Sequence, residues 1–205
     1  MMRIKQNSAL VGVRHAGWDV SRVGMLVDVS SCIGCNSCTV ACRQENALQG
    51  SDGWLKVWRR ERLGTQLIRY DYSQSCRHCG DPQCLQACPT GAIAYGAGGV
   101  VRHHEEKCIG CQVCVMVCPY GGVKVMTNGK TGKCSLCAHR LAKGEEPACT
   151  AVCPTGARTF GEREALVREA GERLDALRRQ GLRGRLEGNG DLEGKGRHKI
   201  IFLML

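Results

Sequence analysis

The sequence holds sixteen cysteines in 205 residues, and all of them fall into four groups of four. The quartets are Cys32, Cys35, Cys38 and Cys42; Cys76, Cys79, Cys84 and Cys88; Cys108, Cys111, Cys114 and Cys118; and Cys134, Cys137, Cys149 and Cys153. Quartets one and three have the spacing C-x2-C-x2-C-x3-C, and quartet two has C-x2-C-x4-C-x3-C. Quartet four has eleven residues between its second and third cysteines, and proline follows every quartet except the first.

This spacing is typical of [4Fe-4S] binding in bacterial ferredoxins, where the fourth cysteine of a run ligates the other cluster of a pair. Three thiolates on a tight loop can reach three irons of one cluster, and the short gaps leave backbone N–H groups free to point at the sulfurs. Proline after the last cysteine fixes the backbone and removes a donor. We therefore expect four [4Fe-4S] clusters whose iron is bound by all sixteen cysteines, with no three-iron centre.

Zinc sites and disulfides are the alternatives for so many cysteines. Structural zinc sites usually join two C-x2-C pairs from separate knuckles and do not need the run seen here. Disulfides would require export to an oxidising compartment. The N-terminal apolar patch at residues 9–13 is short and is ended by Arg14, so we expect no signal peptide on this chain. No apolar run approaches the roughly 18 residues of a membrane span, so we also expect no direct span.

The net charge has a different meaning once clusters are bound. The formal charge is +10 with every cysteine counted as neutral. An oxidised cluster with four thiolates carries about 2−, so four clusters leave about +2 overall. The basic residues are then largely compensation for cluster charge. Because the sequence also lacks an aromatic and basic platform for stacking bases, we expect no nucleic-acid partner.

The connection between quartets two and three indicates which quartets share a domain. A two-cluster domain joins two quartets, so the pairing is either sequential (one with two, three with four) or nested (two with three, one with four). Residues 92–95 and 99–103 are short β-prone runs around a Gly-rich turn, which is the compact hairpin spacing of a two-cluster ferredoxin. That hairpin favours the nested arrangement, in which quartets one and four are left to each other.

Nested pairing predicts one ligand set for each cluster. The sets are Cys32, Cys35, Cys38 and Cys153 for cluster 1; Cys42, Cys134, Cys137 and Cys149 for cluster 2; Cys88, Cys108, Cys111 and Cys114 for cluster 3; and Cys76, Cys79, Cys84 and Cys118 for cluster 4. Each set combines three cysteines of one quartet with the last cysteine of its partner. Cys42 is therefore expected to ligate the cluster of quartet four.

The predicted fold class is α+β: two pseudo-symmetric ferredoxin-like domains of the bacterial 2[4Fe-4S] type, nested in sequence, with short β-hairpins. Besides the hairpin between quartets two and three, strands are predicted at residues 24–29, 55–62, 66–72 and 123–127, the middle two forming a hairpin around Gly64-Thr65. The predicted boundaries are an N-terminal extension at 1–24, a first domain at 25–62 plus 128–160, an inserted domain at 63–127 and a C-terminal region at 161–205.

The C-terminal region is expected to contain a helix, a linker and a tail. The pattern from 162 to 180 is helical, with one apolar face and Gly181 as the stop. The face consists of Leu166, Ala170, Leu174 and Leu177. Residues 181–197 are rich in glycine and charge and predict a mobile linker. The apolar residues 198–205 predict either a last strand on the same domain or an anchor on a partner subunit.

A few other residues are candidates for function. His78, between the first two cysteines of quartet two, is interpreted either as a donor toward a sulfur or as a solvated loop histidine. Trp54 and Trp58 are interpreted as core or subunit interface. The long gap of quartet four predicts a helix followed by a turn at Gly144 and Pro147. Its charged residues, which are available to a partner, are Arg140, Lys143, Glu145 and Glu146. No catalytic residues are predicted, since no Ser-His-Asp, P-loop or G-x-G-x-x-G arrangement is evident.

The four quartets, their order and their x4 and x11 gaps resemble those of the electron-transfer subunits of the dimethyl sulfoxide reductase family. That family includes the iron–sulfur subunits of dimethyl sulfoxide, polysulfide, tetrathionate and arsenate reductases and of formate dehydrogenases. The segments ACRQEN and GWLKVW are similar to the family's segment after its first quartet. The resemblance covers Met25 to about Phe160.

The resemblance implies a relay of single electrons between a molybdenum or tungsten bis-pterin catalytic subunit and a redox partner, commonly a membrane anchor subunit that reacts with quinone. The domain of quartets one and four would lie nearer the catalytic subunit. Such subunits are often exported together with a signal-bearing partner, so the side of the membrane, cytoplasmic or periplasmic, is left open. The alternative function is a separable polyferredoxin carrier for a hydrogenase or carbon monoxide dehydrogenase.

Overall fold

The computed structural model describes residues 18–63, 67–188 and 198–205, and these form short strands and helices of the α+β class, as predicted. The strands are β1 (Val23–Asp28), β2 (Lys56–Leu63), β3 (Leu67–Gln74), β4 (Ile93–Tyr95), β5 (Val101–His103), β6 (Val123–Val125), β7 (Thr131–Lys133), β8 (Arg158–Glu162), β9 (Arg185–Glu187) and β10 (Ile200–Met204). The helices are α1 (Ser37–Glu45), α2 (Gln83–Gln86), α3 (Val113–Met116), α4 (Ala138–Leu141), α5 (Ala148–Ala151) and α6 (Arg163–Arg179).

A four-stranded sheet joins distant parts of the sequence in the order β8-β1-β10-β9. Strands β1 and β10 are parallel, with Met25 opposite Ile200, and the two outer pairs are antiparallel. Every residue of β1 and β10 is buried. A strand that is covered on both faces has no reason to alternate apolar with polar residues, which explains the continuous apolar runs in both segments.

The two faces of this sheet contact different elements. Leu26, Ile201 and Leu203 pack against α6. The alternating residues of the same strands, such as Met25 and Phe202, point the other way and pack into a core cluster that includes cysteines of quartets one and four. The sheet therefore forms a wall between α6 and the cysteine-bearing helices.

Helix α6 has the predicted apolar face: Leu166, Ala170 and Leu174 are buried, and Leu177 packs beside them. These residues recur every three or four positions, so they lie along one side of the helix. Gly181, with a φ of 77°, follows the end of the helix as predicted. A positive φ is readily adopted by glycine and lets the chain turn back at a helix end.

The apolar tail packs on the protein itself. Strand β10 lies in the interior of the sheet between β1 and β9, which is the first of the two alternatives left open by the sequence. The predicted mobile linker differs from the structure at residues 185–187, which form β9 and pair with β10. The ion pair of Arg77 with Glu187 over 2.8 Å ties β9 to quartet two. Residues 189–197 of the linker and 1–17 of the N-terminal extension lie outside the described residues.

Three two-stranded hairpins complete the fold. The predicted β2–β3 and β4–β5 hairpins are both present, and the Gly64-Thr65 tip lies outside the described residues. The predicted strand at 123–127 is shorter, as β6, and pairs with β7, which the sequence analysis missed. The dipeptide Asn128-Gly129 at the turn is a strong hairpin signal and could have revealed β7. Within the described part of the chain, no helix has the length and apolar character needed to cross a membrane.

Candidate functional site

Each quartet starts with a backbone turn that points an N–H group at a cysteine sulfur. The residues before the second cysteines have a positive φ, namely Gly34 (68°), His78 (50°), Gly110 (73°) and Leu136 (55°). The N–H groups of His78 and Leu136 donate to Cys76 Sγ and Cys134 Sγ over 3.4 and 3.3 Å. Those of Gly34 and Gly110 donate to Cys32 and Cys108 in the same way. Such donors stabilise a charged sulfur, so all four turns are suited to hold a thiolate.

Glycine is required at this turn in quartets one and three. A Cβ atom on Gly34 would lie 2.7 Å from Asp71 Cγ, and one on Gly110 would lie 2.7 Å from the carbonyl oxygen of Gly129. In the other two quartets the same φ is adopted by residues with side chains, and both of these side chains are almost completely buried. Their surroundings hold a backbone conformation that is costly for residues other than glycine.

His78 is one of those two residues. Only 1% of it is exposed, so the interpretation as a solvated loop histidine is wrong. The group that donates to sulfur is its backbone N–H rather than its ring. Burial lowers the pKa of the imidazole well below its usual value, and nearby Lys133 and Lys199 lower it further, so the ring is neutral.

The third cysteine of every quartet lies on a short helix. These cysteines, each less than a tenth exposed, are Cys38 on α1, Cys84 on α2, Cys114 on α3 and Cys149 on α5. Helix α1 packs against α5, and α2 packs against α3. The helices of quartets one and four thus lie side by side, as do those of quartets two and three.

The fourth cysteine follows the third by one helical turn, and the next residue decides whether the helix continues. In quartets two to four that residue is a proline, which disfavours a helical conformation at the cysteine before it, and α2, α3 and α5 have ended by then. In quartet one the next residue is Arg43, and α1 continues to Glu45. Cys42 is consequently fixed in the middle of a helix and is buried.

Cavities between these helices bring cysteines of different quartets together. One cavity is lined by Cys32, Cys35, Cys38 and Cys153, a second by Cys42, Cys134, Cys137 and Cys149, and a third by Cys88, Cys108, Cys111 and Cys114. The remaining four are also neighbours, because the thiols of Cys79 and Cys84 interact electrostatically with those of Cys76 and Cys118. Each group combines three cysteines of one quartet with the last cysteine of another.

Burial, and after it the proximity of other thiols, raises the pKa values of several of these cysteines. Burial, followed by the neighbouring Cys149 and Cys137, raises the pKa of Cys42 to about 12. Burial and the neighbouring Cys76 raise the pKa of Cys84 to about 12 and that of Cys79 to about 11. These thiols are therefore neutral near pH 7, and binding of iron must displace their protons.

The four cysteine groups fit [4Fe-4S] clusters in donor chemistry. Each group offers four sulfur atoms, the donor set that such clusters require. N–H groups that follow the fourth cysteines add further hydrogen bonds: Gly122 donates to Cys118 Sγ over 3.2 Å and Arg158 to Cys153 Sγ over 3.4 Å. Hydrogen bonds to the sulfurs are one of the means by which a protein sets cluster potentials.

Two of the groups also interact electrostatically across the molecule. The thiol of Cys134, whose pKa is raised well above its usual value by burial and then by Cys42 and Cys149, also has Cys76 of quartet two as an electrostatic neighbour. By contrast, Cys35 and Cys111 are exposed, as are the apolar residues before them, Ile33 and Ile109. Two groups are therefore coupled electrostatically inside the protein, and the other two reach its surface.

The eleven-residue gap of quartet four forms an arm that folds back onto α1. It contains α4, turns at Gly144 with a φ of 77° and reaches α5 through Pro147, in agreement with the prediction. His139 Nε2 and Arg140 Nη1 contact the carboxylate of Glu45 over 2.6 and 2.9 Å. Both contacts lower the pKa of Glu45. Arg140, which the sequence suggested for a partner, is thus used within the protein itself.

Sequence reasoning missed two buried cations beside the cysteines. Arg158 is 3% exposed and Lys133 is 2% exposed. The ammonium group of Lys133 donates to the carbonyl oxygens of Val101 and Cys134, and its charge acts on Cys84. Neither residue belongs to a motif. The only signals in the sequence were that Lys133 directly precedes Cys134 and that Arg158 follows soon after the last cysteine, Cys153.

Two family models described as 4Fe-4S dicluster domains match the sequence, at residues 31–92 and 68–163. Together they cover all four quartets, and they resolve the choice between iron–sulfur clusters and zinc in favour of clusters. The matches share residues 68–92, so they leave the pairing of the quartets undecided.

The protein is also similar in sequence to subunits of two reductases and of a formate dehydrogenase. It is 40% identical to a subunit of the polysulfide reductase of Wolinella succinogenes, over 69% of this chain and 76% of that protein. It is 41% identical to the thiosulfate reductase electron transfer subunit of Salmonella typhi, over 67% of this chain and 74% of that protein. It is 38% identical to the formate dehydrogenase-O iron-sulfur subunit of Escherichia coli over 78% of this chain, and it spans only 59% of that protein's length.

Proposed function

Because this protein belongs to the family of four-cluster, ferredoxin-type electron-transfer subunits of the dimethyl sulfoxide reductase family, we propose that it relays single electrons between a molybdenum or tungsten bis-pterin catalytic subunit and a second redox partner. It binds four [4Fe-4S] clusters, as two dicluster domains and sixteen cysteines require. The clusters supply the one-electron chemistry. The chain supplies the thiolates, the N–H donors and the burial that set each potential.

The observation that carries this proposal is the set of cavities lined by four cysteines each. They support the nested ligand sets: clusters 1 and 2 from quartets one and four, and clusters 3 and 4 from quartets two and three. The packing of α1 on α5 and of α2 on α3 supports the same pairing. On this proposal the first domain combines 25–62 with 128–160, and 63–127 is inserted into it.

Contacts between the groups suggest the order of the relay. Cys38 of cluster 1 and Cys42 of cluster 2 are one turn apart on α1. Cys134 of cluster 2 interacts electrostatically with Cys76 of cluster 4, and Cys88 of cluster 3 follows α2, the helix that carries Cys84 of cluster 4. The proposed order is therefore 1-2-4-3, with the buried groups in the middle.

The ends of this relay suggest where partners dock. Clusters 1 and 3 each have an exposed ligand, Cys35 and Cys111, next to a largely exposed isoleucine. We assign the cluster 1 end to the pterin subunit and the cluster 3 end to the second partner, a membrane anchor subunit. A separable polyferredoxin carrier for a hydrogenase or carbon monoxide dehydrogenase is the alternative.

Anaerobic purification of the tagged protein from its native host tests the proposed function. We expect a large pterin-containing subunit to copurify in a fixed ratio, and about 16 irons per chain, four for each cluster. A protein that isolates alone, fully loaded and reducible, would overturn the subunit assignment in favour of the carrier. An iron content near 12 would contradict four intact [4Fe-4S] clusters.

A cysteine substitution tests the pairing. In Cys42→Ser, nested pairing predicts that the cluster held by quartet four is altered while both clusters of quartets two and three keep their electron paramagnetic resonance (EPR) signals. Cys88→Ser is the matched variant, and it should alter the cluster held by quartet three. If Cys42→Ser instead altered a cluster of quartet two, the sequential arrangement would replace the nested one.

A further inference from the structure

Arg158, the first residue of β8, is a buried cation between two of the cysteine cavities. Only 3% of the residue is exposed. It lines the cavity of Cys42 and Cys149, and it also lines the cavity of Cys32 and Cys153. Arg158 thus borders the sites proposed for clusters 2 and 1, and the charge of its side chain acts on Cys42 of the first and on Cys38 of the second.

Hydrogen bonds fix the guanidinium group in this place. Its Nη1 donates to Ser73 Oγ over 2.6 Å, and its Nη2 donates to Met25 Sδ over 2.9 Å. The backbone N–H of Arg158 donates to Cys153 Sγ over 3.4 Å. The side chain therefore has one defined position, set by β1 and β3 on either side of it.

The charge of Arg158 needs a counter-charge, and no carboxylate in the described part of the chain supplies it. Among the described residues no Asp or Glu oxygen forms an ion pair with Arg158, although other arginines in them pair with carboxylates. An unpaired charge in a buried site strongly destabilises a folded protein. The remaining source of negative charge is sulfur, which is present as thiolate once iron has displaced the thiol protons. Burial lowers the pKa of the guanidinium, and the sulfurs of Cys149, Cys38 and Cys134 together raise it above its usual value.

We propose that Arg158 is the shared counter-charge of clusters 1 and 2 and raises the reduction potentials of both. The proposal rests on the cluster-binding function and the ligand sets given above. Reduction adds one electron to a site that already carries about 2−, and a fixed positive charge stabilises the more negative state. The effect is large because screening is weak in a buried site. Arginine keeps its proton throughout, so only the electron moves.

Arg158 acts through the cluster ligands, so its test must separate charge from structure. Redox titration of the iron-loaded protein, monitored by EPR, gives the four midpoint potentials. In Arg158→Met, two of the four potentials should fall, each by about tenfold in the reduction equilibrium, or about 59 mV for one electron. In Arg158→Lys, which retains the charge, both should stay within about threefold of the unmodified protein, or about 30 mV.

Two controls make the result decisive. Arg163→Met removes another buried guanidinium group, whose Nε and Nη2 donate to the carbonyl oxygens of His198 and Gly188, and should leave all four potentials in place. Ser73→Ala removes one anchor of Arg158 but no charge and should change the potentials less than Arg158→Met does. An equal fall in all four potentials, no fall in any, or a fall in Arg158→Lys as large as in Arg158→Met would overturn the proposal.

Failure of assembly is also informative. If Arg158→Met does not retain clusters 1 and 2, iron should fall from about 16 to about 8 per chain, and Arg158→Lys should restore it. Loss of the same iron from Arg158→Lys would overturn the counter-charge role. The unmodified protein separates this outcome from failure of the proposed function, because four redox centres must be present in it at the start.

Discussion

The two halves of the molecule surround the same kind of site with very different amounts of apolar core. We define the outer half as β1, α1, α5, β8, α6, β9 and β10, and the inner half as α2, β4, β5, α3 and β6. In the outer half, one buried cluster joins the sheet to the cysteine-bearing helices and a second joins it to α6. In the inner half, the buried cluster has five members, two of which are cysteines: Cys84, Ile93, Val101, Cys114 and Val123.

This difference shows what the clusters contribute to folding in each half. Small folding units bury too little apolar surface to be stable alone and usually need metals or disulfides below about 40 residues. The inner half is close to that limit, and its strands have three residues each. Bonds between iron and sulfur must therefore replace the missing core there, whereas in the outer half they are added to a sheet that is already covered on both faces.

The largest effect is expected when iron is removed. Anaerobic chelation with a thiol reductant should unfold the inner half and leave the β1–β10 sheet and α6 folded, because only the latter retain a core without iron. In hydrogen exchange, amides of β4, β5 and β6 should lose at least about 10³-fold of their protection, equivalent to about 4 kcal/mol. Amides of β1 and β10 should lose far less.

Reconstitution is the control for this experiment, since protection in the inner half should return with iron and sulfide. Equal loss of protection in both halves would show that the outer core is not independent of its clusters. Retained protection in the inner half would show that its few buried side chains suffice, and the comparison between the halves would then fail.

The sequence predicted the elements whose patterns are local. The quartets followed from their spacing, and α6 followed from Leu166, Ala170 and Leu174, which repeat with the helical period. Strand β1 was evident because its residues form an apolar run. In each case neighbouring residues carry the whole signal.

What the sequence could not predict depends on partners far along the chain. The tail was recognisably apolar, but its place beside β1 is set by a parallel pairing of Ile200 with Met25. Strand β9 has three residues, too few to show an alternation of apolar and polar side chains. Only its pairing with β10 defines it as a strand. Arginine and lysine usually lie at the protein surface, so nothing in the sequence indicated that Arg158 and Lys133 are buried. Their burial makes physical sense only beside the negative charge of the clusters.

A matched pair of core substitutions tests the same difference between the outer and inner halves, with a smaller expected effect than removal of iron. Ile201 and Ile93 are both buried, at 0% and 2% exposure, in the outer and inner cores. In the iron-free protein, Ile201→Ala should lower the free energy of unfolding by about 2–5 kcal/mol, the usual result of such a truncation. Ile93→Ala should change it by less than about 0.5 kcal/mol, because the inner half is already unfolded.

Urea unfolding followed by circular dichroism measures both variants. The iron-loaded forms supply the control: Ile93→Ala should there speed hydrogen exchange in β4, which proves that the side chain packs when the clusters are bound. A cost of about 2 kcal/mol or more for Ile93→Ala without iron would mean that the inner core forms by itself.

The smallest effect is expected at the loops that separate the second and third cysteines of quartets two and four. The inner loop is four residues long and the outer one is eleven, and the longer arm is tied to α1 by the contacts of His139 and Arg140 with Glu45. Glu45→Gln removes the carboxylate that both side chains contact, so exchange of the α4 amides should rise severalfold, equivalent to about 1 kcal/mol or less for partly exposed pairs. Glu145→Gln, which removes an ion pair within the arm, is the control and should have less effect. Equal changes in the two variants would mean that the arm is positioned by its cysteines alone, as the shorter loop of the inner half is.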